Sequence, residues 1–146
     1  MNSIHAFLLF FLFSFSCLSQ QYNSFKKFPV DNPLSYKSVQ SITQDKDGFI
    51  WLGSQEGLHR FDGYQFLSFH HDASELNSLS SNVISRILID HAEQLWVATR
   101  GGGVNIYQAE SKNFQRIGSK TTELALTNDN VNALIEDRNN NIWVGT

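Results

Sequence analysis

The sequence predicts an all-β fold: β-propeller blades of four antiparallel strands, an incomplete ring of about two and a half blades, following a signal peptide. Three observations predict it. Trp51, Trp96 and Trp143, all the tryptophans of the chain, stand on one register, 45 and 47 residues apart. Each interval holds four short runs that alternate at period 2 and are rich in Val, Ile and Phe, the pattern of strands rather than helices. The runs are joined by turn chemistry, with Asp47-Gly48 and Asp62-Gly63 as the strongest hairpin dipeptides. Four antiparallel strands per ~45 residues is the period of a propeller blade.

The chain opens on an apolar run, Ile4 to Leu18, that has the length of a secretory h-region and falls short of the ~20 residues of a membrane span. Cys17-Leu18-Ser19 supplies small residues at −3 and −1 for cleavage before Gln20, so residues 1–19 are read as the signal peptide. The n-region lacks Lys and Arg. An uncleaved signal-anchor and lipid attachment at Cys17 are the alternatives, the latter disfavoured by Ser14 where lipoprotein signals carry Leu. All three readings put the remainder outside the cytoplasm.

Residues 20–38 form the mature N-terminus. Phe25-Lys-Lys-Phe28 matches Phe66-Leu-Ser-Phe69, the last strand of a repeat, and is followed by Leu34-Ser35, which matches Leu79-Ser80 and Leu126-Thr127. This is the strand expected to close a ring by completing its final blade. Blade 1 spans 39–82, with strands near Val39–Gln44, Phe49–Gly53, Leu58–Phe61 and Gln65–Phe69. Blade 2 spans 83–130, with strands near Val83–Ile89, Leu95–Thr99, Val104–Tyr107 and Phe114–Ile117. Residues 131–146 begin a third blade that stops inside its second strand. The expectation is therefore a fragment of a longer protein.

A four-stranded blade is too small to bury its own faces, so neighbours must stack. Trp51, Trp96 and Trp143 are read as the large flat side chains that fill the space between blades. The small residue two places on, Gly53, Ala98 or Gly145, leaves room for the packed neighbour. Gly57 and Gly103 open the next strand of each unit.

Composition narrows the function classes. Cys17 is the only cysteine, so the mature chain has no disulfide, cysteine–metal site or thiol nucleophile. A net charge of −3 without a basic cluster argues against nucleic acid.

The segments Asp45–Gly63, Asp90–Tyr107 and Asp137–Thr146 follow D-x-x-G-x-[IL]-W-[VL]-G-[ST]-x-x-G-L-x-x-[FY]-D. This pattern resembles the two-component regulator propeller repeat, with Ala92-Glu93 and Ala98 as departures in the second unit. The resemblance implies the extracytoplasmic sensor region of a bacterial signalling protein, on the periplasmic side of the inner membrane. Further blades, a small β-sandwich, a transmembrane helix and a cytoplasmic output domain would follow, the last often a hybrid histidine kinase and sometimes a diguanylate cyclase or transcription regulator. It implies a membrane-anchored parent that dimerises, and no catalysis in this segment.

Candidate chemistry is sparse. Asp45-Lys46-Asp47-Gly48 lacks the further oxygen ligands of a calcium loop and reads as a turn. His70-His71 has no third ligand at fixed spacing, and adjacent strand residues point to opposite faces. Arg100-Gly101-Gly102-Gly103 lacks the Lys-Ser/Thr of a phosphate loop. No cofactor and no metal is expected. Propeller topology puts the loops joining second and third strands, and those joining blades, on one face. Gln55, Glu56, His70, His71 and Arg100 are therefore the candidate ligand-binding residues, for a small molecule or glycan. The rival readings are a propeller enzyme of lyase or glycosidase type cut before its active site, and a protein-binding scaffold.

Overall fold

A computed structural model of the chain describes Leu34, residues 38–120 and residues 125–146. The leader and the Phe25–Phe28 strand lie outside the described residues. Ten strands follow in order, and among the described residues no helix occurs. Strands β1 (Val39–Gln44), β2 (Ile50–Ser54), β3 (Gly57–Phe61) and β4 (Phe66–Phe69) form one antiparallel sheet in sequence order. Strands β5 (Ile84–Ile89), β6 (Leu95–Thr99), β7 (Gly103–Gln108) and β8 (Asn113–Ile117) form a second of the same topology. Strands β9 (Ala133–Glu136) and β10 (Ile142–Gly145) pair as the start of a third. The eight strands expected for blades 1 and 2 are present, with ends differing by one residue at most.

The hairpins form because their turns supply the required backbone. In the β1–β2 turn the Gly48 N–H donates to the Asp45 carbonyl, and Gly48 sits at φ 88°. The equivalent residues Glu93 (φ 63°) and Asn140 (φ 64°) adopt the same left-handed conformation without being glycine. The turn therefore survives the loss of its Gly, at a backbone cost of ~1–2 kcal/mol for a residue with a Cβ.

The first strands of successive blades lie beside one another, β1 next to β5 and β5 next to β9. Hydrogen bonds tie them together: Ile87 N–H to Ser41 Oγ (3.1 Å), and Ser85 Oγ to the Val131 carbonyl (2.6 Å). Both β1 and β5 carry an irregularity in register at the same place, between Val39 and Ser41 and between Ile84 and Arg86. The repeat thus extends to its irregularities.

Between the blades lie two apolar clusters. The first joins Trp51, Leu58 and Phe69 of blade 1 to Ile84, Ile87, Leu95, Val97, Tyr107 and Phe114 of blade 2. Trp51 meets Tyr107 edge-on at 5.0 Å between ring centroids and stacks on Phe69 at 5.9 Å. Such aromatic pairs add ~0.5–1.5 kcal/mol each beyond area burial. The second cluster joins Ala98, Val104 and Ile117 to Val131, with Trp96, Leu134 and Val144 packed around it.

Burial of the three tryptophans is unequal. Trp51 is 3% exposed, Trp96 is half-buried and Trp143 is 62% exposed. This corrects the expectation that all three are core in this chain. Each Trp faces the following blade: Trp51 meets a whole one and Trp96 two strands of one, while Trp143 has no later strand in the chain. The gradient itself supports an inter-blade role.

Gly53 shows why the residue after next is small. A Cβ there would come within 2.5 Å of Ile84 Cγ2. At the second joint the corresponding residues are Ala98 and Val131, both fully buried. The Gly–Ile and Ala–Val pairs carry the same number of side-chain carbons, so a gain on one blade is matched by a loss on the next.

Candidate functional site

Each repeat builds the same polar clamp at the β1–β2-type turn. Asp45 Oδ2 accepts from the Trp51 indole at 2.7 Å, Asp90 from Trp96 at 2.7 Å and Asp137 from Trp143 at 2.8 Å. The other carboxylate oxygen accepts backbone N–H groups of the turn, from Asp47 and Phe49, Ala92 and Gln94, or Asn139 and Asn141. The indole and the Asn141 side chain and backbone hold the Asp137 carboxyl well below the usual carboxylate range. These aspartates are fully engaged in holding Trp and turn. Among the described residues, no group of His, Cys, Asp and Glu is arranged to hold a metal ion.

The sequence-derived ligand residues fall at the opposite end of the blades. Gln55 and Glu56 are exposed in the β2–β3 turn, and Arg100 is exposed in the β6–β7 turn. His70 lies against the first of these turns, its Nδ1 2.9 Å from the Glu56 carbonyl. That contact explains Gly57: at φ 130°, a Cβ there would lie 2.5 Å from the Phe69 carbonyl oxygen and 2.9 Å from His70 Nδ1. Gly103 holds the matching place in blade 2, at φ 74°. The His71 ring sits 2.7 Å from the Leu79 carbonyl through Nδ1, and the His71 backbone N–H donates to Asn82 Oδ1 at 2.6 Å. The Ser119 N–H donates to Asp129 Oδ1 in the same way one blade on. The two histidines are thus brought to one linker and each is directed at backbone. Arg100 belongs to a different turn.

Two features escaped sequence reasoning. Buried His59 and Asn105 occupy one register position in β3 and β7 and anchor hydroxyls: His59 meets Ser54 (3.3 Å) and Ser68 (2.8 Å), and Asn105 holds Ser80 by side chain and backbone (2.8 and 2.9 Å). Of these hydroxyls only Ser80 belongs to the repeated Leu-Ser/Thr pair. The other feature is a cleft of about 600 Å³ between blades 1 and 2, at the end that carries the Asp45 and Asp90 turns. Its floor includes Phe49, Trp51, Arg60 and Tyr107. The Arg60 guanidinium lies over the Phe49 ring at 4.4 Å and 5.7 Å from the Trp51 ring. Burial pushes the Tyr107 hydroxyl up in pKa, and the Arg60 charge draws it partly back.

With this geometry in place, comparison with known families is decisive. The family model described as "Two component regulator propeller" matches residues 33–56, 78–101 and 125–146. The chain is built from two component regulator propeller repeats. Each matched stretch covers one Asp–Trp clamp and the inner two strands of a blade. Over 78 residues, 53% of its length, the chain is 35% identical to "Histidine kinase P4" of Formosa agariphila, of which this is 6%. Among solved structures it resembles a chain from B. thetaiotaomicron described as the extracellular domain of the hybrid two component system BT3049. The TM-score is 0.73 at 28% identity, over 83% of this chain and 17% of that one. A second extracellular domain from B. thetaiotaomicron, that of BT4673, gives a TM-score of 0.57 at 21% identity, covering 84% and 24%. At that identity the likeness is one of fold. The chain spans only a small part of each of these relatives, 6%, 17% and 24% of their lengths.

Proposed function

We propose that this chain is an extracytoplasmic ligand-sensing segment of a transmembrane signal-transduction protein and performs no catalysis itself. The observation that supports this best is the threefold repeat in register, shared at 28% identity with an extracellular domain of a hybrid two component system. A phosphorelay output is favoured over a diguanylate cyclase by the 35% identity to a protein named a histidine kinase. The apolar leader favours the same side of the membrane.

The packing suggests how such a segment works. Inter-blade contacts are close enough that one added methyl at Gly53 would collide with Ile84. A ligand lodged between blades therefore shifts a whole blade, because close-packed interfaces move as units. The shift carries signal only if the ligand prefers one blade arrangement over the other. The parent's remaining blades and a second copy of the parent are the partners in this reading. The exposed Gln55, Glu56 and Arg100 form the surface offered at the blade-linker end.

The test uses the full-length protein in membranes, with labelled ATP and stimulus-containing medium. Removal of residues 39–117 should abolish the stimulus-dependent change in phosphoryl incorporation while basal incorporation persists. An unchanged stimulus response would refute the sensing role.

A further inference from the structure

We propose that the cleft between the first two blades binds a small monocarboxylate, its carboxylate seated on the Arg60 guanidinium and the Tyr107 hydroxyl. This rests on the sensing reading and gives it a ligand class and a place.

The departure of blade 1 from its own repeat carries the inference. Trp51 pairs with Arg60 across β2 and β3, and Trp96 pairs with Ile106 across β6 and β7. At the second joint Ile106 packs against the apolar cluster. The scaffold therefore calls for an apolar residue beside the Trp, and blade 1 supplies a guanidinium instead. Among the described residues, Arg60 meets two rings and no acceptor, and no partner faces the Tyr107 hydroxyl. Five N–H donors with no acceptor, held in orientation by an aromatic face, suit a planar carboxylate.

The same end is bridged at the second joint. There the His91 ring and backbone N–H bond the Glu136 carboxylate, bridging the turn of blade 2 to the end of β9. At the first joint the matching residues are Lys46 and Ile89, which cannot form that bond, and both line the open cleft. The opening thus lies between two complete blades, where one latch has been left out.

The rim selects among anions. Asp47, Glu93 and Glu110 line it. Their charge repels a polyanion and accepts hydrogen bonds from hydroxyl or ammonium groups. The ligand is therefore a single carboxylate whose other polar groups are donors, a chemistry shared by sugar acids and amino acids.

Calorimetric titration of the purified protein with D-glucuronate, L-serine and D-glucose separates the sources. Glucuronate or serine should bind and glucose should not. Arg60→Ile, the residue the second blade uses, should retain the fold by circular dichroism and weaken binding roughly 10- to 100-fold, the value of hydrogen bonds to a charged group. Tyr107→Phe should weaken it less. Absence of binding by both carboxylates at millimolar concentration, or unchanged affinity in a folded Arg60→Ile protein, would overturn the proposal. Either result leaves the sensing reading standing if the full-length protein still responds to stimulus through these blades. Binding at Arg60 with no stimulus response would overturn the sensing reading alone.

Discussion

Replacing Gly53 by Ala probes the blade joint with a single methyl. Gly53 lies in β2, and its φ is outside the left-handed region, so the backbone accepts Ala. The new Cβ would lie 2.5 Å from Ile84 Cγ2 and 3.1 Å from Ile84 Cβ. Carbon atoms pack at about 3.5–4.0 Å, so something must move by roughly 1 Å. Ile84 is fully buried, with β5 tied to its neighbours on both sides. Overpacking of this kind costs about 1–3 kcal/mol, offset by the ~0.5–1 kcal/mol that Ala gains over Gly in a strand. The midpoints of these ranges leave a net loss of about 1.2 kcal/mol, which lowers the melting temperature by roughly 2–6 °C for a chain of this size. Ile84→Val alone should cost about 0.5–1.5 kcal/mol through lost packing. The double variant reproduces the Ala–Val pair of the second joint, and should be less destabilised than the sum of the singles. Thermal or urea unfolding of all four proteins gives the coupling energy. Strict additivity, or an unperturbed Gly53→Ala protein, would refute the matched-pair reading.

Three further outcomes follow from the same geometry. Glu93→Gly should raise stability by about 0.5–1 kcal/mol, because φ 63° at Glu93 suits glycine, and urea unfolding measures it. Asp90→Ala should lower stability by about 1–3 kcal/mol in the same assay, since the Trp96 indole and two turn N–H groups lose their acceptor together. The Asp137 carboxyl should titrate below its usual value of 3.8 by carbon-detected NMR. Because the folded-state pKa is depressed, its stabilising contribution is complete above the unfolded value and fades as pH falls through the folded one. Asp137→Asn should remove that acid dependence, and an Asp137 pKa at or above 3.8 would contradict the clamp.

Much of the fold was legible because it is encoded locally. Period-2 alternation, helped in blade 1 by the Asp-Gly turns, placed the eight strands of blades 1 and 2, and the tryptophan register set the repeat. What lies between blades was less visible. The Asp–Trp bond is present in the sequence as a constant spacing in all three units, yet the aspartate read only as a turn former. The exposure of Trp143 depends on a neighbour rather than on its own repeat. The cleft was hidden for the same reason: Arg60 departs from the register set by Ile106, but that matters only once Tyr107 of the next blade stands opposite. The candidate ligand residues were placed by general topology, which located the loops correctly and could not foresee that the His70 and His71 rings are directed at backbone carbonyls.

The most direct measurement of the central claim is one of location. Alkaline phosphatase, active only outside the cytoplasm, is fused after Thr146 and assayed in intact cells. High activity, lost when residues 1–19 are deleted, is the expected result for an extracytoplasmic sensor segment. An inactive, stably expressed fusion would contradict it.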